Sequence, residues 1–419
     1  MVHGVTLLLA LVFMADGQQP PAGATQLAAV QVAGAKRYSA DDVTRLSGLV
    51  IGKPVTVAEL QSAADRLASS GLFKELRYRY VTAAKQLTVI FEFEEADWTV
   101  PVIFDNLIWF TDDELVAAVR RDVPSFDGTA PSSEGVADLI IGALQSQLEQ
   151  RGIPGTVSLV PQTDLKTKGL RYLFRVNGPA LRVCAVSVEG ATPDRRRDLL
   201  DAMTSVVGSD YSRFYMTGLA GGTLLDIYHR YGHWNAAFAP AARVDRDACA
   251  GVSVVLQVSE GPIYRWAGAQ WSGNAAAPPG ELDKLLAMQE GDVADGSKIS
   301  DGLLRIKKAY RRIGYMLAEA DLSPRLDDAA VRAVFEITVS EGPQFRMGTV
   351  QFVGFPESTV NALRKAWKLP PGEVYDDAYP AGFQVKEVFS RRPPGGKSPV
   401  MQMEIDRARR VVNIRFVSE

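Results

Sequence analysis

A short motif recurs in this chain at a nearly constant interval, and no other feature restricts the fold as strongly. Val258-Ser259-Glu260-Gly261-Pro262 and Val339-Ser340-Glu341-Gly342-Pro343 lie 81 positions apart. A weaker copy is Val176-Asn177-Gly178-Pro179, whose first glycine lies 83 positions before Gly261. In all three copies a second glycine follows the first by 12 residues. Repetition at such a period is typical of a chain built from serial structural units.

A second marker has the same period. Glycines that end a helical pattern occur at Gly71, Gly152, Gly232 and Gly314, with steps of 81, 80 and 82 residues, and a Pro-Pro-Gly-Gly stretch follows at 393–396. Glycine commonly caps the end of a helix. The sequence therefore predicts a signal peptide at 1–17, a linker at 18–26, and five units at 27–96, 97–178, 179–261, 262–342 and 343–419.

The fourth unit shows the order of elements most clearly. Residues 263–271 are rich in β-forming types and are followed by a turn at Gly273-Asn274. A short helix at 281–288 and a longer helix ending at Gly314 come next, because apolar residues there recur at steps of three and four. Strands at 317–322 and 331–339 complete the unit. The predicted order is strand, helix, helix, strand, strand.

The first unit repeats this order, with strands at 27–32, 75–80 and 86–93. Its second helix opens with Thr56 and Glu59, which form the pattern of a capping box. Two helices suit a crossover between parallel strands, and the last two strands suit an antiparallel hairpin. The predicted fold is therefore α+β, a tandem array of five βααββ modules. Each module is a three-stranded mixed sheet covered on one face by two helices, with the hairpin's first strand at an edge.

These features resemble tandem POTRA (polypeptide-transport-associated) domains. The resemblance is carried by the βααββ order, the Val-x-Glu-Gly-Pro junction, Gly273-Asn274, and the run from Arg312 to Tyr315. It covers about 27–419 and is weakest in the second unit, where Phe104-Asp105-Asn106 replaces the turn glycine. The resemblance implies the periplasmic arm of the outer-membrane β-barrel assembly factor family, without the barrel. Either this chain is a family relative that lacks a barrel, or the sequence stops at the domain boundary.

The N-terminus predicts export. The apolar run from Val5 to Ala15 is about half as long as a membrane-spanning helix, and Ala15-Asp16-Gly17 offers small residues for cleavage. A secretory signal peptide is expected, with retention of the run as an anchor as the alternative. The expected location is the periplasm, with outer-membrane association through partners.

Composition and motifs argue against an enzyme and against nucleic acid. The 46 basic and 49 acidic residues are scattered along the chain, so no one-sign patch is expected. His229 and His233 are four residues apart, which could suggest a metal site, but Gly232 separates them and a half-exposed pair at a helix end is favoured. Gly218–Gly222 lacks the Lys-Ser/Thr of a phosphate loop and is interpreted as close helix packing. No cofactor or small-molecule substrate is expected.

The two cysteines leave two alternatives open. Cys184 lies in the first strand of unit three and Cys249 just before its last strand. If those strands pair in parallel, their beginnings are neighbours, and an oxidising compartment would allow a disulfide. Two buried free thiols are the alternative. The aromatic residues Trp234, Tyr264, Trp266, Trp271 and Tyr310 are predicted to pack in cores rather than to form a ligand platform.

Function is expected at the free sheet edges, because an unpaired strand presents N–H and C=O groups to an extended segment. The candidate edge residues are Leu76, Arg77, Tyr78, Val157, Leu159, Ala237, Phe238, Ala318, Ala320, Met401 and Met403. One hypothesis is a scaffold that binds unfolded outer-membrane proteins or partner subunits by β-augmentation. The alternative is a structural adaptor of the cell envelope or divisome with no client polypeptide.

Overall fold

The computed structural model describes residues 11–12, 23–163, 169–245, 251–391 and 398–418. The chain divides into two compact units, and the division runs through the third module. The first unit contains the chain up to Ser187, with Met203–Leu219 and Pro240–Leu256; the second contains Val188–Ala202, Ala220–Ala239 and the chain from Gln257. The described strands form five separate sheets. No helix within the described ranges is both long enough and apolar enough to cross a membrane.

Module 1 has a five-stranded sheet in the order β1-β4-β5-β2-β3. Its elements are β1 (Leu11–Val12), β2 (Thr25–Ala33), α1 (Ala40–Ser47), β3 (Pro54–Val55), α2 (Val57–Ser69), β4 (Phe73–Ala83) and β5 (Gln86–Glu95). β2 is parallel to β5, and β4 is antiparallel to it. The predicted capping box at Thr56 and Glu59 is present and starts α2.

Module 2 has the sheet order β7-β6-β9-β8. Its elements are β6 (Val100–Phe104), α3 (Asp112–Asp122), β7 (Thr129–Ala130), α4 (Glu134–Gln150), β8 (Thr156–Thr163) and β9 (Leu170–Asn177). One hydrophobic core runs through modules 1 and 2, from Leu27 to Val176. Because burial of apolar surface is the main stabilising contribution, the shared core joins these two modules firmly.

Module 3 has the sheet order β10-β12-β11. Its elements are β10 (Val183–Glu189), α5 (Pro193–Ala202), a 3₁₀ turn (Thr204–Val206), α6 (Arg213–Leu219), a π-helical segment (Ala220–Leu224), α7 (Leu225–His229), β11 (Ala237–Asp245) and β12 (Gly251–Ser259). The Gly-rich stretch therefore lies inside the second helix. Close helix packing was the wrong interpretation, since a Cβ on Gly218, Gly221 or Gly222 would meet nothing within 4 Å.

Module 4 has the sheet order β13-β15-β14. Its elements are β13 (Arg265–Ser272), α8 (Pro279–Leu286), α9 (Gly296–Arg312), β14 (Glu319–Asp327) and β15 (Arg332–Ser340). β13 is parallel to β15, and β14 is antiparallel to it. The predicted core aromatics pack here: Trp266 stacks on Phe335, with ring centroids 4.9 Å apart.

Module 5 repeats this topology in the order β16-β18-β17. Its elements are β16 (Arg346–Val353), α10 (Glu357–Ala366), α11 (Ala378–Phe383), a π-helical segment (Gln384–Val388), a 3₁₀ turn (Phe389–Arg391), β17 (Val400–Asp406) and β18 (Val411–Val417). The predicted α+β class is confirmed, because the model carries five small sheets with helical crossovers. All strands of each sheet, apart from β1 and the first residues of β2, fall within one predicted unit; the exact unit boundaries stay a prediction.

The glutamate of the repeated motif explains why the motif recurs. Glu260 Oε1 accepts a hydrogen bond from the Thr192 N–H (2.9 Å), in the turn after the first strand of the same module. Glu341 Oε1 accepts one from the Ala276 N–H (2.7 Å) at the equivalent turn. Glu95 accepts two such N–H groups in module 1. We call this contact the glutamate clasp; it ties the end of each of these modules to its own first turn.

The glycine that follows 12 residues later has a steric reason. Gly190 and Gly273 have φ angles of +82° and +73°, which only glycine adopts readily. A Cβ on either would lie 2.2 Å from a carbonyl oxygen of the last strand, that of Val258 or Val339. The close contact between the first turn and the last strand therefore requires glycine at this turn in modules 3 and 4.

Candidate functional site: the sheet edges

The first strand of each terminal hairpin lies on the outer side of its partner strand. β8, β11, β14 and β17 are edge strands in their sheets, and β4 is flanked only by the two-residue strand β1. In modules 1, 2, 4 and 5 the first and last strands pair in parallel, which leaves the hairpin's first strand on the outer side of the last strand. Five strands of the same topological position can therefore be compared.

Nearly all candidate residues lie on these strands. Leu76, Arg77 and Tyr78 lie on β4, Val157 and Leu159 on β8, Ala237 and Phe238 on β11, Ala320 on β14, and Met401 and Met403 on β17. Ala318 is the exception and needs a correction. It lies one residue before β14 and is buried, because its N–H donates to Tyr315 O (3.2 Å) in a turn that delays the start of the strand.

The edge of module 1 already carries an added strand. Leu11 lies opposite Arg77 and Val12 opposite Tyr78, in parallel. Both partners on β4 are among the candidate edge residues. An apolar segment therefore meets the outer side of a hairpin strand in the manner that strand addition requires.

The edge of module 2 is closed by its own residues. The N–H of Val157 donates to Oε1 of Gln145 (2.9 Å), a side chain on α4. Pro161, four residues later and opposite Tyr172, has no N–H at all. Proline is tolerated in a sheet where its nitrogen faces away from the partner strand. Leu159 is the other candidate residue on β8, and its N–H points outward like that of Val157. Among the described side chains, none accepts a hydrogen bond from the Leu159 N–H.

The edges of modules 3 and 4 each contain a proline as well. Pro240 lies within β11 and Pro324 within β14, where Pro324 is opposite Phe335. Pro324 and Pro161 are each the sixth residue of their strand. Each proline removes a donor from the outward row and places a ring where a neighbouring strand would approach.

The edge of module 5 contains no proline. The hairpins of modules 4 and 5 close through turns of equal length, with Asp327 opposite Arg332 and Asp406 opposite Val411. Counted back from the turn, Met403 takes the position that Pro324 has in module 4. Met403 is 41% exposed and Val400 is 58% exposed, so β17 offers apolar side chains together with its backbone groups.

The chemically distinctive side chains are placed in structural roles. His229 stacks on Trp234 with centroids 4.2 Å apart, and Nδ1 of His233 lies 3.0 Å from Gly261 O. Burial lowers the pKa of His229 despite the opposing charge of Asp226. His233 is buried rather than half-exposed, because it fills the bend between α7 and β11. Among the described residues, no group of three His, Cys, Asp or Glu could hold a metal ion.

The predicted disulfide lies partly outside the described residues, because Cys249 is not among them. Cys184 lies on β10, beside the strand that begins two residues after Cys249. A Cβ on Gly251 would lie 3.1 Å from the Cys184 Sγ atom. This proximity supports the pairing of Cys184 with Cys249, which stays a prediction.

Sequence reasoning missed a buried carboxylate where modules 2 and 3 meet within the first compact unit. Asp105 is fully buried and accepts hydrogen bonds from the Ser212 hydroxyl and the Phe214 N–H (both 2.8 Å), and it pairs with Arg175 Nε (3.0 Å). It therefore holds the start of α6. The available signal was the replacement of the turn glycine by Phe104-Asp105-Asn106.

The described part of the chain is a tandem array of small α+β modules. Residues 264–342 match the sequence model of the POTRA family, described as a surface antigen variable number repeat. This segment is module 4, which is therefore a POTRA domain, and the resemblance stated from the sequence is confirmed there.

Several solved structures are similar to this chain. POTRA domains 3–5 of Haemophilus influenzae BamA are 19% identical over 58% of this chain and 99% of that chain, with a TM-score of 0.40. POTRA domains 1–3 of Omp85 from Anabaena are 15% identical over 57% and 95%, with a TM-score of 0.27. CdiB from Escherichia coli is 16% identical over 54% and 35%, with a TM-score of 0.22.

Proposed function

We propose that this chain is a non-enzymatic periplasmic scaffold for outer-membrane protein assembly or translocation. In this proposal it binds extended polypeptide segments or partner proteins by β-augmentation at its sheet edges. The POTRA match of module 4 supports the class, and the similar Anabaena structure is described as part of the periplasmic domain of Omp85. Partners are unfolded outer-membrane proteins or subunits of an assembly complex.

One observation carries the binding mode: the hairpin's first strand lies outermost in four of the five described sheets, and in the fifth only the two-residue strand β1 lies beyond it. An outermost strand offers a row of backbone donors and acceptors, and pairing with it makes little demand on the partner's sequence. That property suits a protein that handles many unfolded chains.

The test uses the full-length chain, residues 1–419, and an eight-residue peptide that alternates valine with lysine. Binding is measured by fluorescence anisotropy, against the same peptide with its alternate backbone amides N-methylated. Methylation removes the donors needed for strand pairing, so we expect binding to fall at least tenfold. Equal binding of both peptides, or binding of neither, would count against strand addition.

A structural adaptor without a client is the second candidate, and contacts between modules favour it. Trp234 of module 3 donates its indole N–H to Ala294 O of module 4 (2.6 Å) and meets the edge of the Phe335 ring. Modules 1 and 2 share a core. If neither peptide binds while these contacts persist in solution, the adaptor function is the better account.

A further inference from the structure

We propose that strand addition is restricted to proline-free edges, and that in this chain β17 of module 5 is the acceptor for a basic, amphipathic extended segment. This inference rests on the proposed function, since it names which edge binds and what chemistry the segment has. The three middle modules keep the same topology, and they close their edges through proline.

The first argument is the alternation of backbone groups along an edge strand. In an antiparallel pair, successive residues direct their N–H and C=O groups alternately toward the partner strand and away from it. The Val157 N–H, which donates to Gln145 rather than to β9, identifies the outward set on β8, and Pro161 belongs to the same set. Pro324 likewise interrupts the outward set on β14.

Module 5 keeps this outward set intact. Met403 stands where module 4 has Pro324, and Met401 and Ile405 continue the same alternation on either side. All three lie on the helix-covered face: Met401 and Ile405 pack against the module core, and the Tyr375 hydroxyl lies 3.6 Å from Met403 Sδ. An added strand would therefore gain consecutive backbone hydrogen bonds and apolar contacts on one face.

The other proline-free edge strand, β4, is already paired with another segment of the chain. β4 is flanked by Leu11 and Val12, which are apolar residues in an extended segment. Among the described residues, β4 and β17 are thus the two hairpin strands without an internal proline, and β4 is paired with a segment of the predicted signal peptide. On β17 itself, Met401, Met403 and Ile405 lie on the helix-covered face, so apolar side chains are expected on that face of an added segment.

The side chains on the open face of β17 indicate which charge a segment that adds to this strand should carry. Gln402, Glu404 and Asp406 lie on this face, and Glu404 is exposed, with only the Asn413 amide as its hydrogen-bond donor (3.3 Å). Cross-strand neighbours of opposite charge stabilise a sheet, and like charges destabilise it. Lysine or arginine on the segment's open face would pair with Glu404, whereas Asp406 already accepts a hydrogen bond from the Arg409 N–H (2.9 Å). The expected partner is an extended segment that alternates apolar and basic residues.

The test places a photo-crosslinking residue at one position per edge of the full-length chain, in place of Ser158, Ala241, Asp321 or Gln402. The probe is the valine–lysine peptide described above. We expect the Gln402 position to crosslink at least tenfold more than the other three. Comparable crosslinking at Asp321 would overturn the restriction by proline, and crosslinking at none of the four positions would overturn the proposed function itself.

Two pairs of variants sharpen the result. Met403→Pro should abolish crosslinking at Gln402, whereas Met403→Ala, which loses the same side chain and keeps the N–H, should retain most of it. Pro324→Ala should raise crosslinking at Asp321 by at least threefold. Equal loss in both Met403 variants would assign binding to the side chain and contradict edge pairing.

A matched peptide tests the charge requirement without relying on the folding of any variant. A peptide alternating valine with glutamate should bind at least fivefold more weakly than the valine–lysine peptide. Glu404→Gln should reduce this difference. Equal affinity for both peptides would contradict the charge assignment.

Discussion

Modules 4 and 5 are adjacent copies of the same topology, and they differ in the regularity of the second helix and in the residues of the edge strand. Module 4 has a regular 17-residue second helix and a proline in its edge strand. Module 5 replaces the helix with a short α-helix, a π-helical segment and a 3₁₀ turn, leaving Val385 68% and Phe389 40% exposed. The difference indicates that the repeat determines the topology of each module. Local residues then determine whether the edge strand of a module can pair with another segment.

The helix of module 5 is held to the beginning of its edge strand. Nε2 of Gln384 donates to Pro399 O (2.9 Å), just before β17 begins. π-helical segments are uncommon and occur often at functional sites. Module 5 therefore combines an irregular helix with a proline-free edge strand, whereas module 4 has a regular second helix and Pro324 in its edge strand.

The largest expected effect compares one buried phenylalanine from the core of each of these modules. Phe335 and Phe416 are both fully buried, but Phe335 packs between two tryptophans, stacked on Trp266 and edge-on to Trp234 at 4.8 Å. Phe416 also has ring partners, but its centroid distances to Phe352, Phe383 and Trp367 are 5.5, 5.8 and 6.1 Å. Phe335→Ala should therefore cost about 4–5 kcal/mol and Phe416→Ala about 3–4 kcal/mol, because the rings around Phe335 lie closer. Native-state hydrogen exchange of each module measures both. Equal costs would remove the distinction in packing between the two modules.

The second prediction concerns the junction between modules 4 and 5. Gly314 has a φ angle of +88°, and its carbonyl accepts the Phe345 N–H (2.8 Å), while Gly372 has nearly the same φ angle of +90°. A Cβ on Gly314 would lie 2.7 Å from Phe345 O, whereas one on Gly372 would meet nothing within 4 Å.

Gly372→Ala should therefore report backbone strain alone, about 1–2 kcal/mol. Gly314→Ala should cost about 1–3 kcal/mol more, because the junction must shift to relieve the contact. Urea unfolding of the full-length chain, followed by tryptophan fluorescence, gives the difference. If the two alanine variants are equally stable, the junction is looser than its contacts indicate.

The repeat and its consequences could be read from the sequence, and the residues that distinguish the modules could not. The motif spacing predicted the element order and the outer position of the hairpin's first strand, because glycines and the clasp glutamate are local signals. The prolines at 161, 240 and 324 are visible in the sequence, but their effect depends on strand register. Asp105 acts through Ser212 and Phe214, which lie more than 100 residues away.

The third prediction tests the glutamate clasp that ends module 4, immediately before module 5 begins. Glu341→Gln keeps an acceptor for the Ala276 N–H but loses the charge, so we expect a cost of about 1 kcal/mol. Glu336→Gln is the matched control, since Glu336 pairs only with exposed Arg325 at 3.1 Å and such pairs contribute about 0–1 kcal/mol. Hydrogen exchange in the turn at Ala276 locates the effect. A larger cost for Glu336→Gln would contradict the clasp.

The smallest expected effect is the pH dependence of the equivalent clasp that ends module 3. Partial burial acts to raise the pKa of Glu260, but hydrogen bonds from the Thr192 N–H and the Tyr228 hydroxyl (2.8 Å) outweigh it, so the pKa lies below its ordinary value. The folded state therefore binds this proton less readily than the unfolded state does. The contribution to stability is present above the ordinary glutamate pKa of about 4.3 and is lost as pH falls through the lowered value.

Hydrogen exchange near Thr192, measured from pH 7 down to pH 3, should show this loss in the wild-type chain. Glu260→Gln removes the titrating group and should flatten the dependence, and Tyr228→Phe, which removes one donor, should flatten it in part. The effect is small because the carboxylate is only partly buried, so water still screens its charge. If hydrogen exchange near Thr192 depends on pH equally in Glu260→Gln and in the wild-type chain, the charge of Glu260 does not stabilise the clasp. The repeated glutamate would then contribute through its hydrogen-bond geometry alone.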